Sequence, residues 1–366
     1  MRRKSAERRR EQTVCRSGSA RLLALTLLVA CSCEKKAAPT PAAVSDAGDH
    51  APDRAGAKAP VESADTSPTL GSPSLTGDAS AEVGDASETP RWAFDCTDTS
   101  LPKTGKSIGH TSVVFKVELS NGRKAAWKPN AKRVKGRYKG EIAAYRLAQT
   151  LGLANVPPAC FRAIDASAAA KTLAPNADAA RLFAEEVLVE DGKVHGVVIP
   201  WIDGLSFWPL EKDPLRSEAR SWLATGAEIP QAKASLAAQT STLVVFDFLT
   251  GNWDRYSGEN VGLDRTADLV LYIDNDAGFM EAPPKDRIAR NKALLEATDR
   301  FSRRLVDRLR ELDGERLAAA FGEETAGSPL LSRKVLSLVA SRVEELLAII
   351  DAKIAKRGEA ETLYFP

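Results

Sequence analysis

The chain has 366 residues, 43% of them hydrophobic, and its 51 Lys and Arg against 49 Asp and Glu give a formal net charge of +2. That near-balance leaves no basic excess to grip a phosphate backbone, so nucleic acid is excluded as a partner on charge. The charge is also unevenly placed: residues 1–30 carry a net +6, residues 34–90 a net −6, and the remainder about +2.

Residues 1–30 read as a lipoprotein signal peptide. Arg2, Arg3, Lys4, Arg8, Arg9 and Arg10 head a basic stretch, and Leu22–Ala30 is a nine-residue apolar run, too short to cross a bilayer. The run ends Leu28-Val29-Ala30-Cys31, which resembles the lipobox of bacterial lipoproteins, where the cysteine is lipidated. The expectation is an extracytoplasmic chain anchored to a bacterial membrane through a lipid on Cys31, in the periplasm or at the outer membrane. An ordinary cleaved signal or an uncleaved anchor is the alternative. Residues 31–90 are Ala, Pro, Ser, Asp, Gly and Thr with few large apolar side chains, and read as a disordered tether.

The folded part begins near the aromatic cluster Arg91-Trp92-Ala93-Phe94. Gly105-Lys106-Ser107-Ile108-Gly109-His110 reads as a loop. Ser100 stands where a Walker motif needs its first glycine, so Gly105 and Gly109 either cover phosphates in some other way or make a plain turn. Val113–Leu119 is a strand, Asn121-Gly122 a hairpin turn, and Lys124–Lys128 the returning strand. A two-residue turn places Lys116 opposite Trp127, on the face away from Lys128. A three-residue loop places it opposite Ala126, on the same face.

Gly140–Gly152 reads as a helix with Ile142, Tyr145, Ala148 and Leu151 as its apolar stripe. Glu141 borders that stripe. It either faces the sheet or serves only as a favourable charge at a helix start. Val156–Phe161 is extended, and 166–181 is an Ala-rich insertion. Glu186–Glu190 and Lys193–Ile199 form a hairpin about Asp191-Gly192, with His195 either a packed strand residue or a ligand. Pro200–Gly204 is a linker, and beyond Leu215 helices are predicted near 231–250, 286–297, 301–313 and 331–357. The result is an α+β, two-lobed layout: a β-rich N-lobe over 91–200, a helical C-lobe over 201–366, and a cleft between them where a nucleotide would sit.

Two acidic loops carry the chemistry. Leu243–Leu249 suits a buried helix that Gly251 and Asn252 stop, leaving Asp254 on a loop beyond a rigid element. Leu269–Ile273 suits a strand, leaving Asp274 at its end. Two such carboxylates, with Asn260 between them in the chain, are minimal equipment for metal-dependent phosphoryl transfer: one can take an acceptor's proton and the other can hold the metal. Of five cysteines, Cys96 and Cys160 fall in the folded part, either paired or free.

Gly140-Glu141-Ile142-Ala143-Ala144-Tyr145 through Val156-Pro157-Pro158, then Phe246–Arg255, then Ile273-Asp274-Asn275-Asp276-Ala277-Gly278-Phe279, in that order, resemble the secretory-pathway kinases, an atypical group that includes the Golgi casein kinase and the glycan xylosylkinase. The resemblance spans about 105–320 and implies an atypical protein-kinase-like fold using ATP with Mn2+ or Mg2+. It further implies that Lys128, with Lys116, binds ATP phosphates, and that Glu141 sits by the metal or pairs with Lys128. Asp254 would be the catalytic base and Asp274 the metal ligand, with Asp276 competing two residues on. The chain departs from the pattern in Tyr256-Ser257, which replace paired histidines, and in Asn260, which lies six residues past Asp254 rather than five.

The reading is a kinase moving the ATP γ-phosphate to a hydroxyl of a protein Ser/Thr or a sugar. The alternative is a catalytically inactive, kinase-like lipoprotein acting as a binding scaffold. Transfer of AMP or glutamylation on the same fold is a third.

Overall fold

A computed structural model describes residues 94–109 and 112–366. The signal peptide, the tether and Cys31 lie outside the described residues. The chain order is β1 (Pro102–Ser107), β2 (Phe115–Leu119), β3 (Lys124–Pro129), α1 (Tyr138–Thr150), β4 (Cys160–Asp165), α2 (Ala166–Leu173), α3 (Ala177–Glu186) and β5 (Lys193–Pro200). There follow β6 (Ser206–Phe207), α4 (Leu215–Trp222), α5 (Ala234–Thr250), β7 (Val261–Leu263), β8 (Val270–Tyr272), α6 (Lys285–Ala297), α7 (Arg303–Arg310) and α8 (Gly314–Phe321). The chain closes with β9 (Glu323–Thr325), β10 (Ser328–Pro329), α9 (Arg333–Arg357) and α10 (Glu359–Thr362). Among the described residues no helix is long and apolar enough to cross a membrane.

The first half is an antiparallel sheet in the order β1-β2-β3-β5-β4. Its side chains alternate between two faces, as a pleat requires. Phe115, Val117, Ala125, Trp127 and Val198 pack on one face against α2 and α3. Val197 and Phe161 turn the other way, into a second core built with α1 and the later helices. Lys116, Ala126 and Lys128 share that second face. Lys116 stands opposite Ala126, because Ser120-Asn121-Gly122 is a three-residue connection closed by Leu119 and Arg123.

Helix α5 is buried almost all round from Thr240 to Thr250, as the apolar run Leu243–Leu249, broken only by Asp247, requires. It ends on Gly251 at φ +62°, a left-handed cap that a side chain would strain. The predicted helices at 231–250, 286–297, 301–313 and 331–357 correspond to α5 with a preceding 3-10 turn, α6, α7 and α9.

Two expectations change and one is filled in. Residues 105–107, expected at the start of a loop, belong to an edge strand over 102–107, with Gly105 paired to Val117. The Ala-rich stretch folds as α2 and α3, whose Leu173 and Ala179 are fully buried and complete the core behind the sheet. The hairpin at 186–199 shrinks to a turn with a single bridge between Glu190 and Lys193, because α3 runs on to Glu186 and β5 finds β3 and β4 as partners. Cys96 and Cys160 form a disulfide that ties the start of the described chain to β4.

Candidate active site

Lys128, near the end of β3, reaches across the cleft between the sheet and the helical half. Its Nζ donates to Asp274 Oδ1 at 2.7 Å and to Glu141 Oε1. Glu141 is only 2% exposed. It gets there because α1 approaches the 274–276 loop closely: a Cβ on Gly140 would meet the Asn275 carbonyl oxygen at 2.8 Å. Burial opposes the Lys128 ammonium, but Asp274, Glu141 and Asp276 together outweigh it and hold its pKa well above the ordinary lysine range. Burial likewise pushes the Asp274 carboxyl up. The Lys128 charge and hydrogen bond overcome that, so Asp274 stays below the usual range and ionised.

Asp274 sits past β8 at φ +56°, a left-handed conformation rare for a residue with a Cβ and typical of functional positions held by their surroundings. The holder is Arg255, 1% exposed. Its Nε donates to Asp247 Oδ1 and Oδ2 at 3.0 and 3.2 Å, Nη1 to the Asn260 and Ile273 carbonyls at 2.6 and 2.5 Å, and Nη2 to Asn275 Oδ1 at 2.6 Å. Asn275 in turn donates to the Tyr272 carbonyl at 2.9 Å and to Glu141 Oε2 at 3.4 Å. A single guanidinium thus locks α5, the Asp254 loop and the Asp274 turn together.

Asp254 lines the same cleft, with Lys128, Glu141, Asn260 and Asp274, in a cavity of about 390 Å³. Its backbone N–H donates to Asn252 Oδ1 at 3.1 Å, and its carbonyl accepts from Asn260 Nδ2 at 2.8 Å. Asn260 Nδ2 also donates to Ser257 Oγ at 3.2 Å, so the amide oxygen is the Asn260 atom left to ligate a cation.

The other sequence candidates divide. Gly109 lines the cleft, whereas Gly105 is pressed against Leu173 on the opposite face of the sheet. Lys116 shares the face of Lys128, but its ammonium lies 3.5 Å over the Trp201 ring, and it is Trp201 that lines the cleft. Asp276 is turned aside by Arg137, whose Nη2 donates to Oδ1 at 2.5 Å. Burial pushes the Asp276 carboxyl up to about 7, with Lys128 and Arg137 opposing and Asp274 and Glu141 adding to the rise.

Sequence reasoning missed Arg255 and Asn275 as organisers. The signal was Asp247, an acid inside an apolar helical run, which needs a buried cation eight residues away. Among the described residues no three acidic, histidine or cysteine side chains converge into a closed metal cage. The donors at hand are carboxylate and amide oxygens, the ligand type that suits a hard divalent cation.

The profile of the four-jointed box protein middle domain matches residues 89–352. The chain belongs to that family. Solved structures place this four-jointed box family member in a kinase-like fold. The Golgi casein kinase with Mn/ADP bound is similar at a TM-score of 0.56 and 16% identity, over 73% of this chain and 76% of that one. A second structure of the Golgi casein kinase gives 0.57 at 16%, over 73% and 75%. Hydra Fam20 with sugar gives 0.54 at 14%, over 72% and 88%. No curated protein matches the chain. At such identities the likeness is one of fold, and it bears out the two-lobed, atypical kinase-like α+β architecture resembling the secretory-pathway kinases.

Proposed function

We propose that the chain is a metal-dependent phosphotransferase that moves the γ-phosphate of ATP to a hydroxyl of a protein or a sugar. One observation carries the reading: Lys128, Glu141 and Asp274, from β3, α1 and the end of β8, meet on one ammonium in a cleft that Asp254 and Asn260 also line. The similar Golgi casein kinase holds Mn/ADP, which supports nucleotide and metal use here.

In this reading Lys128 neutralises nucleotide phosphate charge, and Glu141 orients Lys128. Asp254, on a loop fixed from both sides, accepts the acceptor hydroxyl's proton at its carboxylate; such general-base help contributes about 10²–10⁴-fold. Asp274, Glu141 and the Asn260 amide oxygen would hold Mn2+ or Mg2+, which when bound supplies charge neutralisation at the β- and γ-phosphates. The rest is positioning and electrostatics by a preformed frame.

The second reading, a kinase-like scaffold without catalysis, draws support from Lys128 already engaging both carboxylates, so a metal has to share them. We further propose an extracytoplasmic, lipid-anchored placement through Cys31; the Cys96–Cys160 disulfide, a feature of oxidising compartments, supports export. The test is transfer of labelled γ-phosphate by the purified full chain with Mn2+ or Mg2+ to itself, casein or a glycan. Wild type labels an acceptor, while Asp254→Ala and Asp274→Ala do not. Equal labelling by all three means contamination, and no labelling with intact metal-dependent nucleotide binding selects the scaffold.

A further inference from the structure

Behind the Asp254 loop, away from the cleft, a groove of about 220 Å³ opens between the end of α4 and α6. Its floor is apolar: Leu223, Ala293, Leu294 and Ala297. Two cations line it, Arg220 in the last turn of α4 and Arg290 on α6, and no acidic residue does.

Several arginines in the described chain are paired with a carboxylate, as in Arg133–Glu186, Arg255–Asp247 and Arg310–Asp351. Neither Arg220 nor Arg290 has one within ion-pair reach among the described residues. The buried acid Asp247 is already bonded to Arg255. Arg290 Nη2 donates to the Trp253 carbonyl at 3.1 Å, its guanidinium lies 5.3 Å from the centre of the Tyr256 ring, and its Nε is buried with no acceptor. Arg290 thus lies against the loop segment 253–256, and Arg220 shares its groove.

We propose that this groove is a phosphoryl-oxyanion site, with Arg220 and Arg290 as its two forks. Guanidinium groups match the planar spread of phosphate oxygens, and a pair of them matches the dianion. The groove is smaller than the roughly 300–1,000 Å³ of sites for larger ligands, so it takes a phosphate group and a short apolar stem, not a nucleotide. An anion there would bear on Trp253 and Tyr256, the neighbours of Asp254, through Arg290. The site stands independently of the nucleotide reading of the cleft.

Isothermal titration of the full chain with inorganic phosphate, and in a second arm with O-phosphoserine, tests it. Lys128→Met separates this groove from the cleft, and Arg220→Ala changes an exposed side chain that holds no structural bond. Saturable binding is expected in wild type and Lys128→Met, at least tenfold weaker in Arg220→Ala. Tighter binding of O-phosphoserine by tenfold identifies a phosphorylated side chain as the source; equal or tighter binding of inorganic phosphate identifies the free ion. No saturable binding of either, unchanged affinity in Arg220→Ala, or loss confined to Lys128→Met overturns the assignment.

Discussion

Arg255 donates to five acceptors on three segments, Asp247 on α5, the Asn260 and Ile273 carbonyls, and Asn275. Lysine can carry its charge but not its fork. Arg255→Lys is therefore expected to lower unfolding stability by about 3–5 kcal/mol, the usual result of breaking a buried pair, in a urea titration. A loss below about 1 kcal/mol would mean the hub is dispensable. Its partner Asp247 gives a pH signature. Burial pushes that carboxyl up to about 6 against the opposing Arg255 charge. An unfolded aspartate releases its proton near pH ~3.9. Between those values the folded chain holds a proton that the unfolded chain has lost, so this group's contribution falls as pH rises from about 4 to about 6 and is level above. Urea midpoints for Asp247→Asn should lack that part of the slope; an unchanged slope assigns it elsewhere.

At the scale of elements, α1 decides whether Glu141 reaches Lys128. A side chain at position 140 would collide with backbone of the 274–276 loop, which has little room to move because Arg255 holds it. Gly140→Val should cost about 1–3 kcal/mol by overpacking and weaken metal-dependent nucleotide binding more than tenfold. Near-normal binding by a folded Gly140→Val protein would show that the close approach is unnecessary. This element was legible in outline: the stripe at Ile142, Tyr145, Ala148 and Leu151 fixed the helix and Gly152 its end. The three-residue turn that puts Lys116 opposite Ala126 was one of two open choices, since nothing local selects loop length. β1 was not legible. An edge strand reading Pro-Lys-Thr-Gly-Lys-Ser has no apolar alternation, because only its pairing with β2 makes it a strand. The 186–199 hairpin misled for the opposite reason: Asp191-Gly192 does turn the chain, but strands far away in sequence outcompete the local partner.

Taken whole, the division into lobes by sequence differs from the division into cores. Helix α1 belongs by chain order to the β-rich half, yet Ile142, Ala144 and Leu147 pack in one cluster with Leu317, Phe321 and the buried face of α9. The sheet's other face, with α2 and α3, forms a core of its own. The cleft is thus framed by an element anchored on the helical side, which keeps Glu141 and Asp274 in register. The Cys96–Cys160 disulfide closes a separation of 64 residues around β1 to β4. Cys96→Ser should lower stability by about 2–5 kcal/mol in a thermal or urea melt, and reductant should do the same to wild type and nothing to the variant. The site's polar members were legible because Asp254 and Asp274 follow rigid apolar elements. Their common dependence on Arg255 was not, since long-range hydrogen bonds leave no local pattern. The most direct test of a single nucleotide cleft assembled from Lys128, Glu141, Asp254 and Asp274 is titration of ADP into the full chain with and without Mn2+. Wild type and Asp254→Asn should bind with strong dependence on the metal, while Asp274→Asn should lose that dependence and Lys128→Met should bind at least tenfold more weakly. Metal-dependent binding unchanged in both Asp274→Asn and Lys128→Met would contradict the account.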